Sequence, residues 1–308
     1  MTIQFGLLLP TGSRPGQPTN FIQPLRQHAA EFSTHFHSLW MTDHFFWGDT
    51  PTYEAWTTIT YLAATLPEFH IGSLVLGQGY RNPALLAKMA ATLQLLSGGR
   101  LILGLGAGWK EDEYHAYGYD FPPASERITE LEEALIIIKR MWYDENPVDY
   151  YGRHYRIVDA YCEPQPNPIP PLLVGGGGRK TLRVTAQHAN WWNYSGKTPQ
   201  LYREKVKQLH ESCDYIGRNP RDIRLTWLGK LVLGNTPAAI KKADPSGDAP
   251  LSGNAAQVVD RIGQYVELGV DYFIFELPNL DDLDMLHRVA EEVLPQVQAL
   301  KKTKKAAR

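Results

Sequence analysis

Short apolar runs alternate with longer segments of helical periodicity along almost the whole chain of 308 residues. Eight such runs occur, near residues 5–9, 38–41, 70–76, 101–105, 171–174, 189–192, 224–228 and 272–275. Strands that are apolar throughout are typical of parallel sheets buried on both faces. Eight β–α units within a chain of this length favour closure of the sheet. The sequence therefore predicts an α/β fold, a (β/α)8 TIM barrel.

The remaining segments indicate how the domain is organised. Residues 1–300 are expected to form a single TIM-barrel domain. Residues 143–170 contain six prolines and glycines and are interpreted as a loop excursion from the barrel, not as a linker. Residues 235–253 are also expected to be loop, and the basic residues 301–308 are expected to form a flexible tail.

Composition excludes several classes of function. The 31 basic and 33 acidic residues nearly cancel, which argues against nucleic-acid or membrane partners. The only cysteines, Cys162 and Cys213, fit a reducing compartment, so a cytoplasmic location is expected. No signal-peptide pattern and no apolar run of about 20 residues is present. His35 and His37 lack supporting carboxylates, so no metal site is expected.

The active site of such a barrel lies where the strands end and the βα-loops begin. After the second strand the sequence places Asp43 and His44, where a carboxylate can orient an imidazole for acid–base chemistry near neutral pH. Phe45 and Trp47 are placed to wall a flat ligand. A capped turn with a structural histidine is the alternative interpretation.

Four consecutive glycines follow the fifth strand: Gly175, Gly176, Gly177 and Gly178. Glycines allow an anion to approach backbone N–H groups, and the helix that begins here adds positive potential. Arg179 is a candidate second ligand for a phosphate. A flexible tight turn remains the alternative, and no Gly-Lys-Ser/Thr follows that would make this a Walker A loop.

The glycines after the fourth strand lack the spacing of a dinucleotide-binding loop. Gly106, Ala107 and Gly108 are interpreted instead as the place where a ring system lies against the barrel mouth. Glu111 and Glu113 follow, and each is either a proton source or exposed loop charge.

Three further side chains follow other strands. Tyr80 and Trp109 are expected to shape the substrate pocket. Lys197 follows the sixth strand and either binds an anionic group or is solvated.

Several motifs together resemble the luciferase-like monooxygenase superfamily, and within it the branch that uses the deazaflavin coenzyme F420. They are Ser-Leu-Trp-Met-Thr-Asp-His-Phe at 38–45, Tyr-Arg-Asn-Pro-Ala-Leu-Leu-Ala-Lys at 80–88, the run 95–109 ending in Gly-Leu-Gly-Ala-Gly-Trp, and Tyr-Gly-Tyr-Asp-Phe-Pro at 117–122. The similarity extends over residues 3–299 and is weakest between 224 and 250.

The resemblance implies a cofactor at the C-terminal mouth of the barrel and a homodimer. It implies a non-proline cis peptide in the third strand, beneath the ring, at Ser73–Leu74 or Leu74–Val75. It further implies that Asp43 and His44 lie beside the reactive edge of the ring, and that residues 175–178 hold the cofactor phosphate.

One position departs from the pattern. Sugar-phosphate dehydrogenases of the F420 branch carry a glutamate after the strand-four glycines, where this chain has Trp109. Lys197 aligns with a lysine that binds substrate phosphate in those enzymes.

The leading hypothesis is hydride transfer between F420 and a small organic substrate, with His44 moving the accompanying proton. Alternatives are an FMN-dependent two-component monooxygenase, supplied with reduced flavin by a partner reductase, and a non-catalytic flavin-binding barrel. A metal-dependent lyase is disfavoured because no cluster of carboxylates and histidines is found.

Overall fold

Eight parallel strands form a closed ring in the computed structural model, which describes residues 2–12, 22–278, 280 and 283–306. The barrel strands are β1 Gln4–Leu8, β2 Ser38–Met41, β3 His70–Ser73 with its continuation Leu76–Gly77, β4 Leu101–Gly106, β5 Leu172–Gly175, β6 Trp191–Tyr194, β7 Arg224–Leu233 and β8 Tyr272–Glu276. The ring closes because β8 pairs in parallel with both β7 and β1. The predicted TIM barrel is therefore confirmed.

Helices surround this barrel. They are α1 Ile22–Gln27, α2 Ala29–Phe32, α3 Ala55–Thr65, α4 Pro83–Leu96, α5 Glu111–Ala116, α6 Ala124–Tyr143, α7 Arg179–His188, α8 Pro199–Tyr215, α9 Pro237–Ala243, α10 Ala255–Glu267, α11 Leu283–Arg288 and α12 Leu294–Ala306. Two 3-10 turns, Gln78–Tyr80 and Pro220–Asp222, and a π-helical segment, Val289–Val293, are the other helical segments of the described residues. None of the helices in the described part of the chain is long and apolar enough to cross a membrane.

A large indole fills the inside of the barrel. Trp40 is fully buried and is paired with Leu8 on β1 and with Gly72 on β3. A Cβ atom on Gly6 or Gly72 would lie 2.5 Å or 2.3 Å from the Trp40 ring, closer than any packed pair tolerates. Glycine at both positions therefore makes room for the Trp40 ring, which packs in a cluster with Leu8, Leu74 and Tyr272 among others.

The segment predicted as loop, residues 235–253, contains a helix and a strand. Thr236 caps α9 by accepting a hydrogen bond from the Ala239 N–H, and Pro237 occupies its first turn. Leu251–Gly253 then pairs in parallel with the end of β7. The loop prediction was wrong. Thr-Pro is typical of a helix N-terminus, but the surrounding Gly, Pro and Asp residues favour a loop.

The excursion at 143–170 forms a hairpin of Val148–Tyr151 and Arg156–Ala160. The buried carboxylate of Glu133 on α6 holds its turn, accepting hydrogen bonds from the N–H groups of Arg153, His154 and Tyr155 at 2.9, 3.0 and 3.0 Å. This contact fixes the hairpin against the outside of the barrel.

The final helix extends further than the sequence indicated. α12 includes residues 301–306, which were expected to form part of a flexible tail. Residues 307 and 308 lie outside the described residues.

Candidate active site

A cavity of about 200 Å³ opens at the C-terminal ends of β1, β2 and β8. Its walls are formed by Leu8, Leu9, Pro10, Thr11, Thr42, His44, Trp47, Glu276, Leu277, Pro278 and Leu280. His44 is therefore located where a (β/α)8 barrel carries its chemistry.

The partner of His44 is Glu113. Nδ1 of His44 lies 3.0 Å from Oε2 of Glu113, whose side chain is fully buried, while that of His44 is 12% exposed. A carboxylate only accepts hydrogen bonds, so Nδ1 carries the proton and donates it. This arrangement fixes the tautomer and leaves Nε2 as the basic nitrogen.

Three more donors surround the same carboxylate. The N–H groups of Phe45 and Phe46 donate to Oε1 at 2.7 and 3.2 Å, and the Tyr80 hydroxyl donates to Oε2 at 3.1 Å. Burial, and then the nearby Glu113 carboxylate, raises the pKa of Tyr80 well above its usual value, so this hydroxyl stays a donor. Glu113 thus joins α5 to the loop that carries His44.

The prediction that Asp43 orients His44 is wrong. The Asp43 carboxylate accepts two hydrogen bonds from Arg81, at 2.6 and 3.0 Å, and a third from the Gly77 N–H at 2.9 Å. Neighbouring residues in an extended segment point to opposite sides. Asp43 therefore binds Gly77 at the end of β3 and Arg81 in the turn that follows, while His44 lines the cavity.

Arg81 extends this ion pair to a third element. Its guanidinium also donates at 2.5 Å to Glu54, which caps α3 by accepting hydrogen bonds from the N–H groups of Trp56 and Thr57. Burial opposes ionisation of Glu54, but the helix N–H groups and Arg81 together lower its pKa. The network ties β2, the turn after β3 and the start of α3 together.

Two exposed tryptophans flank His44. Its ring centroid lies 4.6 Å from that of Trp47 and 5.5 Å from that of Trp109, and the two indoles are 6.1 Å apart. Lys110 lies over the Phe46 ring at 4.2 Å while pairing with Asp112 at 2.6 Å. These contacts place both predicted tryptophans beside the His44 imidazole.

The other two aromatic residues predicted for the pocket lie elsewhere. Phe45 and Tyr80 pack on each other, with centroids 4.4 Å apart, and line an adjacent cavity together with Arg81. Their role in this structure is to support the Glu113 carboxylate, because one donates a backbone N–H and the other a hydroxyl.

The predicted cis peptide is present between Leu74 and Val75. Val75 is partly exposed, and its methyl groups lie against the glycines of the neighbouring strands. A Cβ on Gly106 would be 2.6 Å from Val75 Cγ2, and one on Gly175 would be 3.0 Å from Cγ1. Ser73 secures the segment by bonding to both the N–H and the carbonyl of Gly104.

The strand-four glycines also make close contacts within the chain. Gly106 makes room for Val75, and Gly108 has a φ of +74° with the Tyr114 hydroxyl packed where a Cβ would be. Ala107, between them, packs against the main core cluster. Ala107 and Gly108 are partly exposed, as Val75 is, so contact of a ring with these residues stays a prediction.

The glycine loop, residues 175–178, follows β5, whereas His44 follows β2, three strands away in the barrel. Gly176 has a φ of +127°, and a Cβ on Gly177 would be 2.5 Å from the Tyr194 ring. Gly178 caps α7, whose first N–H groups have no acceptor within the helix. The loop conformation needs glycine at positions 176 and 177 and leaves backbone donors at a helix N-terminus.

The two cations predicted to bind an anion are both exposed, and their binding of an anion stays a prediction. Arg179 lines a groove between α7 and α8 together with Arg183 and Gln187, one and two turns further along the helix. Lys197 is exposed in the turn before α8. Backbone N–H groups are thus the donors that the structure offers to a phosphate here.

The residues present fit a phosphate-bearing tricyclic cofactor. The loop before α7 offers N–H donors, and the partly exposed Val75 offers an apolar platform between that loop and His44. Among the described residues, no group of three or more His, Cys, Asp or Glu side chains is arranged to hold a metal ion.

A closed eight-stranded parallel barrel with an imidazole–carboxylate pair at its C-terminal mouth defines the protein as a (β/α)8-barrel enzyme. The family model of the luciferase-like monooxygenases matches residues 3–243. The chain belongs to this family of oxidoreductases.

Similar proteins agree with this assignment. The chain is 26% identical over 304 residues to an F420-dependent glucose-6-phosphate dehydrogenase of Amycolatopsis mediterranei, covering 85% of this chain and 90% of that protein. It is 29% identical to a protein of the same name in Microbacterium testaceum, covering 85% and 89%. The structure of an F420-dependent secondary alcohol dehydrogenase superimposes with a TM-score of 0.82 at 20% identity, covering 96% and 99% of the two chains.

Glu113 and Arg81 are the site residues that sequence reasoning missed or left undecided. Residues 111–113 are three consecutive acids, and nothing in their order distinguishes the buried one from its exposed neighbours. Glu113 is distinguished by its hydrogen bond to His44, which lies 69 positions away in the sequence.

Proposed function

We propose that the protein transfers a hydride between coenzyme F420 and a small organic substrate. The observation that carries this proposal is the His44–Glu113 pair at the barrel mouth, since it leaves Nε2 of His44 as a base directed to the cavity. F420, when bound, supplies a carbon centre that accepts or donates a hydride. The protein then has only to hold the substrate and move one proton.

Each part of the site has a role in this proposal. Nε2 of His44 takes the hydroxyl proton of an alcohol, or returns it to a carbonyl, and the buried Glu113 carboxylate stabilises the imidazolium that forms. Val75 supports the ring, and the loop 175–178 binds the cofactor phosphate through backbone N–H groups. Trp47 and Trp109 exclude water from the reacting atoms.

The choice of F420 is supported by the relatives. The proteins most similar in sequence include several named F420-dependent glucose-6-phosphate dehydrogenases, which match 84% to 86% of this chain. Similar folds also include an EDTA monooxygenase from Chelativorans sp. BNC1, with a TM-score of 0.79 at 16% identity. Fold alone therefore leaves an FMN-dependent monooxygenase as the second candidate.

The test separates cofactor binding from turnover. Purified chain is titrated with oxidised F420, reduced F420, FMN and reduced FMN, and binding is followed by fluorescence quenching. We expect F420 to bind and His44→Asn to abolish turnover of an alcohol and carbonyl panel without changing F420 affinity. Tight binding of FMN with no response to F420 would support the monooxygenase instead, and F420 binding without any turnover would support a non-catalytic barrel.

The assembly and location of the protein are part of the same proposal. A homodimer is supported by the exposure of Tyr61, Leu85 and Leu96 on α3 and α4, and light scattering after gel filtration tests it. A cytoplasmic location is supported by the two free cysteines, both buried. In the reducing direction a separate reductase would regenerate F420H2.

A further inference from the structure

Lys110, which immediately precedes α5, is a buried cation beside the His44–Glu113 pair. It is only 8% exposed, and lysine is seldom buried unless it is paired. Its ammonium lies 2.6 Å from Oδ2 of Asp112, whose side chain is 61% exposed, and 3.9 Å from Oε1 of the fully buried Glu113. The carboxylate that binds His44 through Oε2 therefore has a cation near its other oxygen.

Two aromatic rings cover the same ammonium. It lies 4.2 Å from the centroid of the Phe46 ring and 5.2 Å from that of the Trp47 ring. A cation within about 6 Å of an aromatic face is attracted to the ring, and the attraction is stronger when water is excluded. The two rings and Asp112 thus hold the Lys110 ammonium in place, between α5 and the segment that follows His44.

The charge beside His44 determines how firmly its imidazole holds a proton. A neighbouring carboxylate stabilises the imidazolium, and a neighbouring cation destabilises it. Lys110 and His44 are the basic side chains that pair with Glu113 in the described part of the chain. A general base must release its proton after each turnover, so an imidazolium that is held too firmly slows the reaction.

Other ionisable side chains surround this pair. They are Glu276 in the wall of the same cavity, Tyr80, Asp112, and the network of Asp43, Arg81 and Glu54. Tyr80 is neutral because burial, and then the Glu113 carboxylate, raises its pKa. The rest are four carboxylates and one guanidinium, and that guanidinium binds Asp43 and Glu54. None of these groups replaces Lys110 as a cation beside Glu113.

We propose that Lys110 is a positioning residue for His44 that acts through Glu113. Its charge offsets part of the Glu113 charge, so that His44 returns a proton as readily as it accepts one. The consequence for turnover rests on the proposed function, in which His44 exchanges one proton with the substrate. The effect on the imidazole itself is independent of any substrate.

The test follows the protonation of His44 directly. NMR of protein with isotope-labelled histidine, with and without F420, gives the pH midpoint of the His44 imidazole, and the His44→Asn spectrum assigns its signals. Lys110→Met keeps a long flexible side chain but removes the charge, so we expect the midpoint to rise by about half a pH unit or more. The acid limb of kcat/KM should move in the same direction. Lys110→Arg keeps a cation and should restore most of the original midpoint.

Lys207→Met is the matched control. Lys207 also lies 3.9 Å from a glutamate, Glu211, but its side chain is 79% exposed, so this variant should leave the His44 midpoint unchanged. Urea titrations show which variants fold, and Lys110→Gln replaces Lys110→Met if the latter does not. Asp112→Asn, at an exposed side chain, should lower the midpoint, because Lys110 then pairs with Glu113 alone.

A midpoint that stays the same or falls in folded Lys110→Met or Lys110→Gln would overturn the inference, and so would an unchanged midpoint in Asp112→Asn. These results are distinguishable from failure of the proposed function. If the midpoint rises as expected but no substrate is turned over with F420, the role of Lys110 stands and the proposed function fails. If turnover occurs and the pH profile of Lys110→Met matches that of the unaltered protein, the proposed function stands and Lys110 has only a structural role.

Discussion

Glu113 Oε2 accepts a hydrogen bond from Nδ1 of His44 at 3.0 Å, although the two residues are 69 positions apart. The carboxylate accepts three further hydrogen bonds, two of them from backbone N–H groups that immediately follow His44. A single buried side chain on α5 thus fixes both the orientation of the imidazole and the path of the loop that carries it. The base is held rigid before any substrate enters.

Replacing Glu113 by glutamine tests this relationship. An amide keeps the size of the side chain but cannot stabilise an imidazolium, so we expect Glu113→Gln to lower kcat by about 10²-fold or more. F420 affinity should be unchanged. Glu111→Gln is the matched control, because Glu111 lies in the same turn with its side chain 63% exposed. Equal activities of the two variants would remove Glu113 from the mechanism.

Replacing Asp43 is expected to change stability, whereas replacing Glu113 is expected to change kcat. The Asp43 side chain is fully buried in an ion pair with Arg81, whose side chain is 12% exposed. Removal of one partner from a buried pair costs about 3–5 kcal/mol, and the cost here is lower because Arg81 keeps its second partner, Glu54. We expect Asp43→Asn to lower the free energy of unfolding strongly in urea titrations while the pH profile of kcat/KM keeps its shape. The double variant Asp43→Asn, Arg81→Met should recover part of the loss. A shifted pH profile with intact stability would instead make Asp43 a direct partner of the reaction.

The difference between Asp43 and Glu113 marks how far the sequence could predict the site. Apolar periodicity determines the barrel, and strand ends determine which loops face the mouth, so His44 and the loop 175–178 were predictable. Which of two carboxylates meets the imidazole depends on side-chain direction and on a contact between β2 and α5. Local pattern carries no information on either. The same holds for Gly106, whose role depends on Val75 in another strand.

The packing of Val75 on Gly106 predicts a specific rescue. A methyl group added by Gly106→Ala would lie 2.6 Å from Val75 Cγ2, and overpacking of this kind costs about 1–3 kcal/mol. We expect that variant to lose stability and F420 affinity together, because the platform beneath the ring must shift. Val75→Ala removes the clashing methyl groups, so the double variant should regain stability. Gly118→Ala measures the effect of backbone strain without packing. Its Cβ would have no neighbour within 4 Å, but the residue has a φ of +75°. If the double variant did not regain stability, the loss in Gly106→Ala would have a cause other than the contact with Val75.

The last prediction concerns the closed, N-terminal end of the barrel. His37 stacks on His70 with ring centroids 4.2 Å apart and bonds through Nδ1 to the Tyr272 hydroxyl at 3.0 Å. Burial, and then repulsion from His70 and Arg224, lowers the pKa of His37 from 6.5 to about 4. A group with a depressed folded-state pKa binds fewer protons when folded than when unfolded, so the free energy of unfolding rises with pH across this window.

Stability should accordingly be complete above about pH 6.5 and fall progressively as the pH decreases towards about 4. Urea titrations at several pH values measure this slope. His37→Gln removes one titrating group and should reduce this slope, with the remainder coming from His70 and His188, whose pKa values burial also lowers. The variant is also expected to lower stability at neutral pH by weakening the Tyr272 contact. His115→Gln, at a side chain 64% exposed, should leave the slope unchanged. If the His37 variant retained the full pH dependence, the acid sensitivity would come from other groups. His188 is the next to test, because burial, and then Lys139 and Arg218, lowers its pKa to about 4.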